Sequence, residues 1–156
     1  MRYATATKVS VSRTQEHLRK LLREHRAAQI VLAEDDATGR AALRFVLHNR
    51  QIHFALRLPD PLAPAFTQDR RGSIRPAAAA RKLWEQACRS SWRELFLLVK
   101  AMLVAVSAEI TSFEELFLPY LVTTNGQTVA QRVLPDLPAL LTTGRSSLLL
   151  LPPGAE

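Results

Sequence analysis

Apolar and polar positions along the chain change period several times, and each change marks an element. Over residues 3–11 they alternate, with Thr5, Thr7, Val9 and Val11 on one side and Ala6, Lys8 and Ser10 on the other. A period of two in β-branched side chains predicts a strand. Ser12 with Gln15 three positions on has the form of a capping box. The helix it opens carries Leu18, Leu21 and Leu22 on one stripe, with Arg13, Arg19, Lys20, Arg23 and Arg26 around the rest. Ile30 to Leu32 predicts a second strand, followed by a turn over 35–39. Two clearer strands come next. Leu43, Phe45 and Leu47 alternate with Arg44, Val46 and His48, and Ile52, Phe54, Leu56 and Leu58 alternate with His53, Ala55 and Arg57. With Asn49-Arg50 as a two-residue loop, Leu47 faces Ile52, Phe45 faces Phe54, and the apolar residues share one face. Arg50 stands where such loops usually place glycine, which leaves a longer loop open.

From Pro59 to Arg75 the periodicity stops. Pro59, Pro61 and Pro64 keep the chain extended, and the stretch 59–75 is expected to be a mobile basic loop around Arg70, Arg71 and Arg75. Pro76 then starts a long helix to about Ser107, through Leu83, Trp84, Cys88, Trp92, Leu95, Phe96, Val99, Met102, Leu103 and Val106 at intervals of three and four. Thr111-Ser112-Phe113-Glu114 reads as another capping box, before a short helix through Leu116 and Phe117. Asn125-Gly126 predicts a tight turn, Thr128 a cap for a helix through Val129 and Val133, and 136–141 one further turn. Residues 146–156 form an apolar tail. Strands followed by helices predict a single α+β domain over 1–156. Its antiparallel sheet of about four strands lies in the N-terminal half, packed against one long helix and short C-terminal helices. The other sheet face stays open and basic.

Composition narrows the partner class. Hydrophobic residues at 47% and charged ones at 22% suit a globular domain rather than a disordered chain. Cys88 is the one cysteine, so no internal disulfide forms and a reducing, cytoplasmic compartment is expected. The start of the chain lacks the apolar core of an export signal. The most apolar run, Leu95 to Val106, is interrupted by Lys100 and is shorter than the ~20 residues of a spanning helix. No membrane partner is expected. Against 14 acidic residues stand 21 Lys and Arg, a net charge of +7. That excess favours a polyanionic partner, nucleic acid ahead of a membrane surface.

Catalytic chemistry finds little purchase. His17, His25, His48 and His53 lack the spacing of a metal motif, and one cysteine builds no zinc site, so no metal or other cofactor is expected. Cys88 between Trp84 and Trp92 on the apolar stripe reads as a buried thiol. Glu114 and Glu115 follow a cap, where the helix dipole accounts for them. Glu34, Asp35 and Asp36 read as turn residues. Phosphate-binding glycine loops and G-x-S-x-G elbows are absent, and no catalytic residue is assigned. The basic elements remain: Arg19, Arg23 and Arg26 on the first helix, Arg44 and Arg57 on the open sheet face, Arg70 and Arg71 on the loop. These are the expected phosphate contacts. Phe45 and Phe54 face inward, so base stacking on the sheet is not expected.

The segments Trp92-Arg93-Glu94-Leu95, Val99-Lys100-Ala101, Ile110 to Leu118 and Asn125-Gly126-Gln127-Thr128-Val129, with residues 3–11 and 56–61, resemble a family of small uncharacterised proteins encoded by phages and prophages. The resemblance covers most of the chain. It implies a non-enzymatic accessory protein of DNA replication or recombination, and it carries no catalytic residue with it. The order of elements is similar to that of single-strand annealing proteins, which brings in single-stranded DNA as a partner. The alternative is an interaction or inhibitory protein that docks on a host or phage protein, or on its own copy, through the apolar tail Leu148-Leu149-Leu150-Leu151.

Overall fold

The computed structural model of the chain describes residues 4–35 and 38–141. In order these form α1 (Val11–Glu24), β1 (Ala28–Asp35), β2 (Arg40–Leu47), β3 (Arg50–Arg57), α2 (Pro64–Thr67), α3 (Ala77–Ser107), α4 (Phe113–Phe117), a 3-10 turn (Leu118–Tyr120), α5 (Val129–Val133) and α6 (Leu137–Leu141). The strands make an antiparallel sheet in the order β1-β2-β3. Neighbours in sequence are therefore neighbours in space, and short turns join them. The tail at 146–156 and Asp36 lie outside the described residues.

The expected four strands are three among the described residues, because the alternating N-terminal stretch is not a strand. A strand needs a neighbour to bond its carbonyls, and here side chains of α3 take that role. Gln86 Nε2 donates to the carbonyls of Thr5 (3.1 Å) and Thr7 (2.9 Å), and Ser90 Oγ donates to the carbonyl of Ala4 (3.0 Å). The helix also begins earlier than the Ser12 box suggests. Ser10 is the N-cap, its hydroxyl accepting from the Arg13 amide at 3.3 Å, and Val11 is already helical. Thr14, Leu18 and Leu22 then face the core.

The β2–β3 turn is His48-Asn49, at φ 50° and 57°, the pair of left-handed residues of a type I′ turn. It sits one residue before the expected Asn49-Arg50 loop. Leu47 lies opposite Arg50, Phe45 opposite Ile52, and Leu43 opposite Phe54. The pairing thus moves by an even number of residues, and every side chain keeps its predicted face. His48 holds its place in the turn with its ring against Phe113, centroids 4.8 Å apart.

The inner sheet face presents Leu43, Phe45, Leu47, Ile52 and Phe54, all buried. Over them lie Leu18 and Leu22 of α1, and Trp92, Leu95, Phe96, Val99, Met102 and Leu103 of α3. Each such side chain contributes ~1.5–3 kcal/mol on burial, so this layer supplies most of the cohesion. Phe113, Phe117 and Leu121 close the end of the core. The capping boxes are sharp: Ser112 with Glu115 opens α4, one position on from the expected Thr111–Glu114 pair, and Thr128 with Gln131 opens α5. Leu121 bridges to Ile52, and the Val122 amide donates to the Gln51 carbonyl at 2.9 Å, which occupies part of the β3 edge. The proline-rich segment between β3 and α3 holds the single turn of α2. Trp84 Nε1 fastens it to α3 by donating to the Pro59 carbonyl at 2.7 Å. Among the described residues no helix is long and apolar enough to cross a membrane.

Candidate functional site

Alternation along the strands builds the outer face of the sheet row by row. Val31, Arg44 and His53 form one row across β1, β2 and β3; Ala33, Ala42 and Ala55 form the next; Asp35, Arg40 and Arg57 form the third. The middle row is all alanine, and it leaves a hollow of about 310 Å³ between the two polar rows, with Gln131 of α5 at its side. Arg40 and Arg57 stand directly opposite each other on neighbouring strands. Like charges so placed destabilise a sheet by ~0.2–1 kcal/mol, and Asp35, opposite Arg40 on its other side, offsets part of that repulsion.

Arg44 Nε donates to His53 Nδ1 at 2.9 Å. That bond requires Nδ1 to be a lone-pair acceptor, so the imidazole carries its proton on Nε2. Burial first, and then the charge of Arg44, hold the His53 pKa below its ordinary value. The row therefore holds an arginine charge beside a neutral ring.

The sequence-predicted arginines fall into separate groups. Arg44 and Arg57 share the outer sheet face, joined there by Arg40, which the sequence reading did not include. Arg40 is the first residue of β2, and counting back in twos from Arg44 places it on that face. Arg19 and Arg23 lie on the far layer, on the flank of α1 four and eight residues after Gln15. Gln15 Nε2 donates to Glu34 Oε1 on β1, so this flank runs beside the outer edge of β1. Arg23 is exposed and Arg19 half-buried. Arg26, at φ 62°, sits in the turn between α1 and β1. Arg70 and Arg71 are exposed at the tip of a loop in the helical layer. A bridge between Gln68 and Ile74 closes that loop. Asp69 Oδ1 organises it by accepting from the amides of Arg71 (2.8 Å) and Ser73 (2.9 Å).

The other candidates take structural places. Cys88 is 7% exposed within the helical layer. His17 lies against Phe96, ring centroids 6.1 Å apart. Glu115 Oε2 accepts from the Ser112 amide (3.0 Å), the Ser112 hydroxyl (2.8 Å) and the Thr111 hydroxyl (3.1 Å). These bonds, the backbone one foremost, hold its pKa below the usual carboxylate value. Among the described residues no group of three or more His, Cys, Asp or Glu is placed to hold a metal ion.

Neither a protein-family model nor a curated protein nor a solved structure matches the chain. Function is therefore read from the surface chemistry itself.

Proposed function

We propose that the protein is a non-enzymatic nucleic-acid-binding accessory protein of phage type, which assists DNA replication or recombination through the outer face of its sheet. The observation that carries this reading is the opposed pair Arg40 and Arg57, with Arg44 two residues up the strand from Ala42, on a face that neither α1 nor α3 covers. Arg40 and Arg44 are ~13 Å apart along β2, and Arg57 is ~5 Å across from Arg40. Three long, exposed arginine side chains on that grid can meet phosphates of a nucleic-acid strand, and a bound polyanion adds to the offset of the Arg40–Arg57 repulsion. Arg19 and Arg23, on the far layer, and Arg26, Arg70 and Arg71 lie off this face and supply at most outlying contacts.

Such contacts position a strand and read no sequence. Among the described residues the face presents no Phe, Tyr or Trp, so base stacking adds little, and the affinity is dominated by charge. An electrophoretic shift with labelled single- and double-stranded DNA tests the proposal. A shift at low salt that fades steeply as salt rises supports it. Absence of any shift at low salt refutes it.

A further inference from the structure

A second surface lies in the helical layer, away from the outer sheet face. Pro61, Leu62 and Ile74 from the β3–α3 segment, with Ala77, Ala80 and Trp84 from α3, line a groove of about 530 Å³. Ile74 is 87% exposed and Leu62 is 79% exposed. Bare aliphatic side chains that converge on one groove mark an interaction site more often than a plain surface. The segment that presents them carries hydrogen bonds of its own. Its ends are tied by the Trp84–Pro59 bond and by Arg75, whose Nε donates to the Gln68 carbonyl at 2.8 Å and whose amide donates to the Thr67 carbonyl at 2.7 Å. The groove thus exists before anything enters it.

Its rim is cationic. Arg75 and Arg81 line it, Lys82 follows Arg81, and Arg70 and Arg71 stand at the loop tip. Three carboxylates stand nearby, Asp60 and Asp69 accepting from loop amides and Glu85 paired with Arg81 (3.0 Å), and the five cations outnumber them. α3 begins in the groove wall with no acidic residue in its first turn and no side chain capping it. The positive end of a long helix adds to the same sign.

We infer that this groove docks an acidic peptide segment of a partner protein, anchored by apolar side chains. The anchors fill the space between Leu62, Ile74 and Trp84, and the partner's carboxylates meet Arg75, Arg81 and the start of α3. This is the helix-in-groove pattern of recognition, with charge setting the orientation. Nucleic acid suits the groove less well. Its exposed prongs, Leu62 and Ile74, are aliphatic and offer no ring face for a base.

The test uses the full chain and a fluorescein-labelled amphipathic peptide with leucines at helical spacing and glutamates elsewhere, followed by anisotropy. Two control peptides carry lysine for glutamate, or serine for leucine. The Glu/Leu peptide is expected to bind at least about tenfold tighter than either control. Combining Ile74→Ser with Leu62→Ser is expected to weaken it about tenfold at unchanged Tm, because both side chains already stand in water. Ile110→Ser, at an equally bare site (78% exposed) outside the groove, leaves the affinity unchanged. Substituting Arg40, Arg44 and Arg57 by glutamine also leaves it unchanged, which separates this site from the sheet face. Equal binding of the serine-for-leucine peptide, or full affinity in the double variant, overturns the proposal. Displacement of the peptide by a twenty-nucleotide oligothymidylate from the chain lacking those three arginines assigns the groove to nucleic acid and overturns it too.

Discussion

Replacing Arg40, Arg44 and Arg57 together by glutamine removes the three arginine charges from the outer sheet face, where Asp35 remains, and leaves the core alone, since all three side chains are exposed and point away from Leu43, Phe45 and Phe54. If each arginine neutralises one phosphate, the slope of log K against log salt flattens by ~0.9 per contact on duplex DNA and ~0.7 on a single strand. The triple variant then loses about 2.7 from its duplex slope and about 2.1 from its single-strand slope. Between 50 and 200 mM KCl the ratio of wild-type to variant affinity shrinks about 40-fold on duplex and about 20-fold on single strands. Anisotropy of labelled 20-mers over that range reads both slopes. Thermal melting of the variant controls for folding, and the Tm should stay close to wild type, since the Arg40–Arg57 repulsion and the Asp35–Arg40 attraction disappear together. Parallel lines for wild type and variant, whatever their vertical offset, would refute phosphate contact by these residues. If Arg70→Gln with Arg71→Gln flattens the slope and the sheet triple does not, the nucleic acid lies on the loop instead.

Three further outcomes are expected. Thr14 is fully buried and its Oγ1 has no hydrogen-bond partner, so Thr14→Val removes an orphaned hydroxyl at constant shape and should stabilise the fold by about 1 kcal/mol, or ~2–4 °C in Tm; a lower Tm contradicts it. His53 is held below its ordinary pKa, so the folded state resists protonation. The stability this contributes is present above the unfolded value of ~6.5 and is lost as pH falls through the lower folded value. Denaturant midpoints should therefore drop between pH 7.5 and 5 and drop less in His53→Gln, and identical pH profiles would count against the coupling. Gln86→Ala with Ser90→Ala removes the three bonds that hold Ala4, Thr5 and Thr7. At a net ~0.5–1.5 kcal/mol each, this should cost about 1.5–4.5 kcal/mol and should raise amide exchange at residues 5–9. Unaltered exchange there would show that other contacts hold the segment.

The elements legible in the amino-acid pattern are those governed by local physics. The stripe from Trp84 to Val106 keeps helical spacing because one side of α3 lies on the sheet. Ser112–Glu115 and Thr128–Gln131 satisfy amides within their own first turns. The faces of β2 and β3 were legible because alternation survives an even change of pairing. The N-terminal stretch was not, since the groups that take its carbonyls, Gln86 and Ser90, stand some eighty residues further on and leave no mark on the local pattern. The β2–β3 turn was displaced because no glycine announces it and His48 accepts a left-handed backbone. The arginines could be counted but not aimed. Whether α1 lands on the inner or the outer side of the sheet decides that Arg19 and Arg44 look in different directions, and that depends on Leu18 and Leu22 finding α3.

The strands are complete at Arg57, yet the helix that shields Phe45 and Phe54 ends only at Ser107. On a ribosome adding ~5–20 residues per second, that lag lasts roughly 3–10 s. Throughout it the nascent meander carries a greasy underside, a feature that leads unfinished chains to stick to one another. Premature termination between those points thus yields an adhesive fragment rather than a smaller working unit.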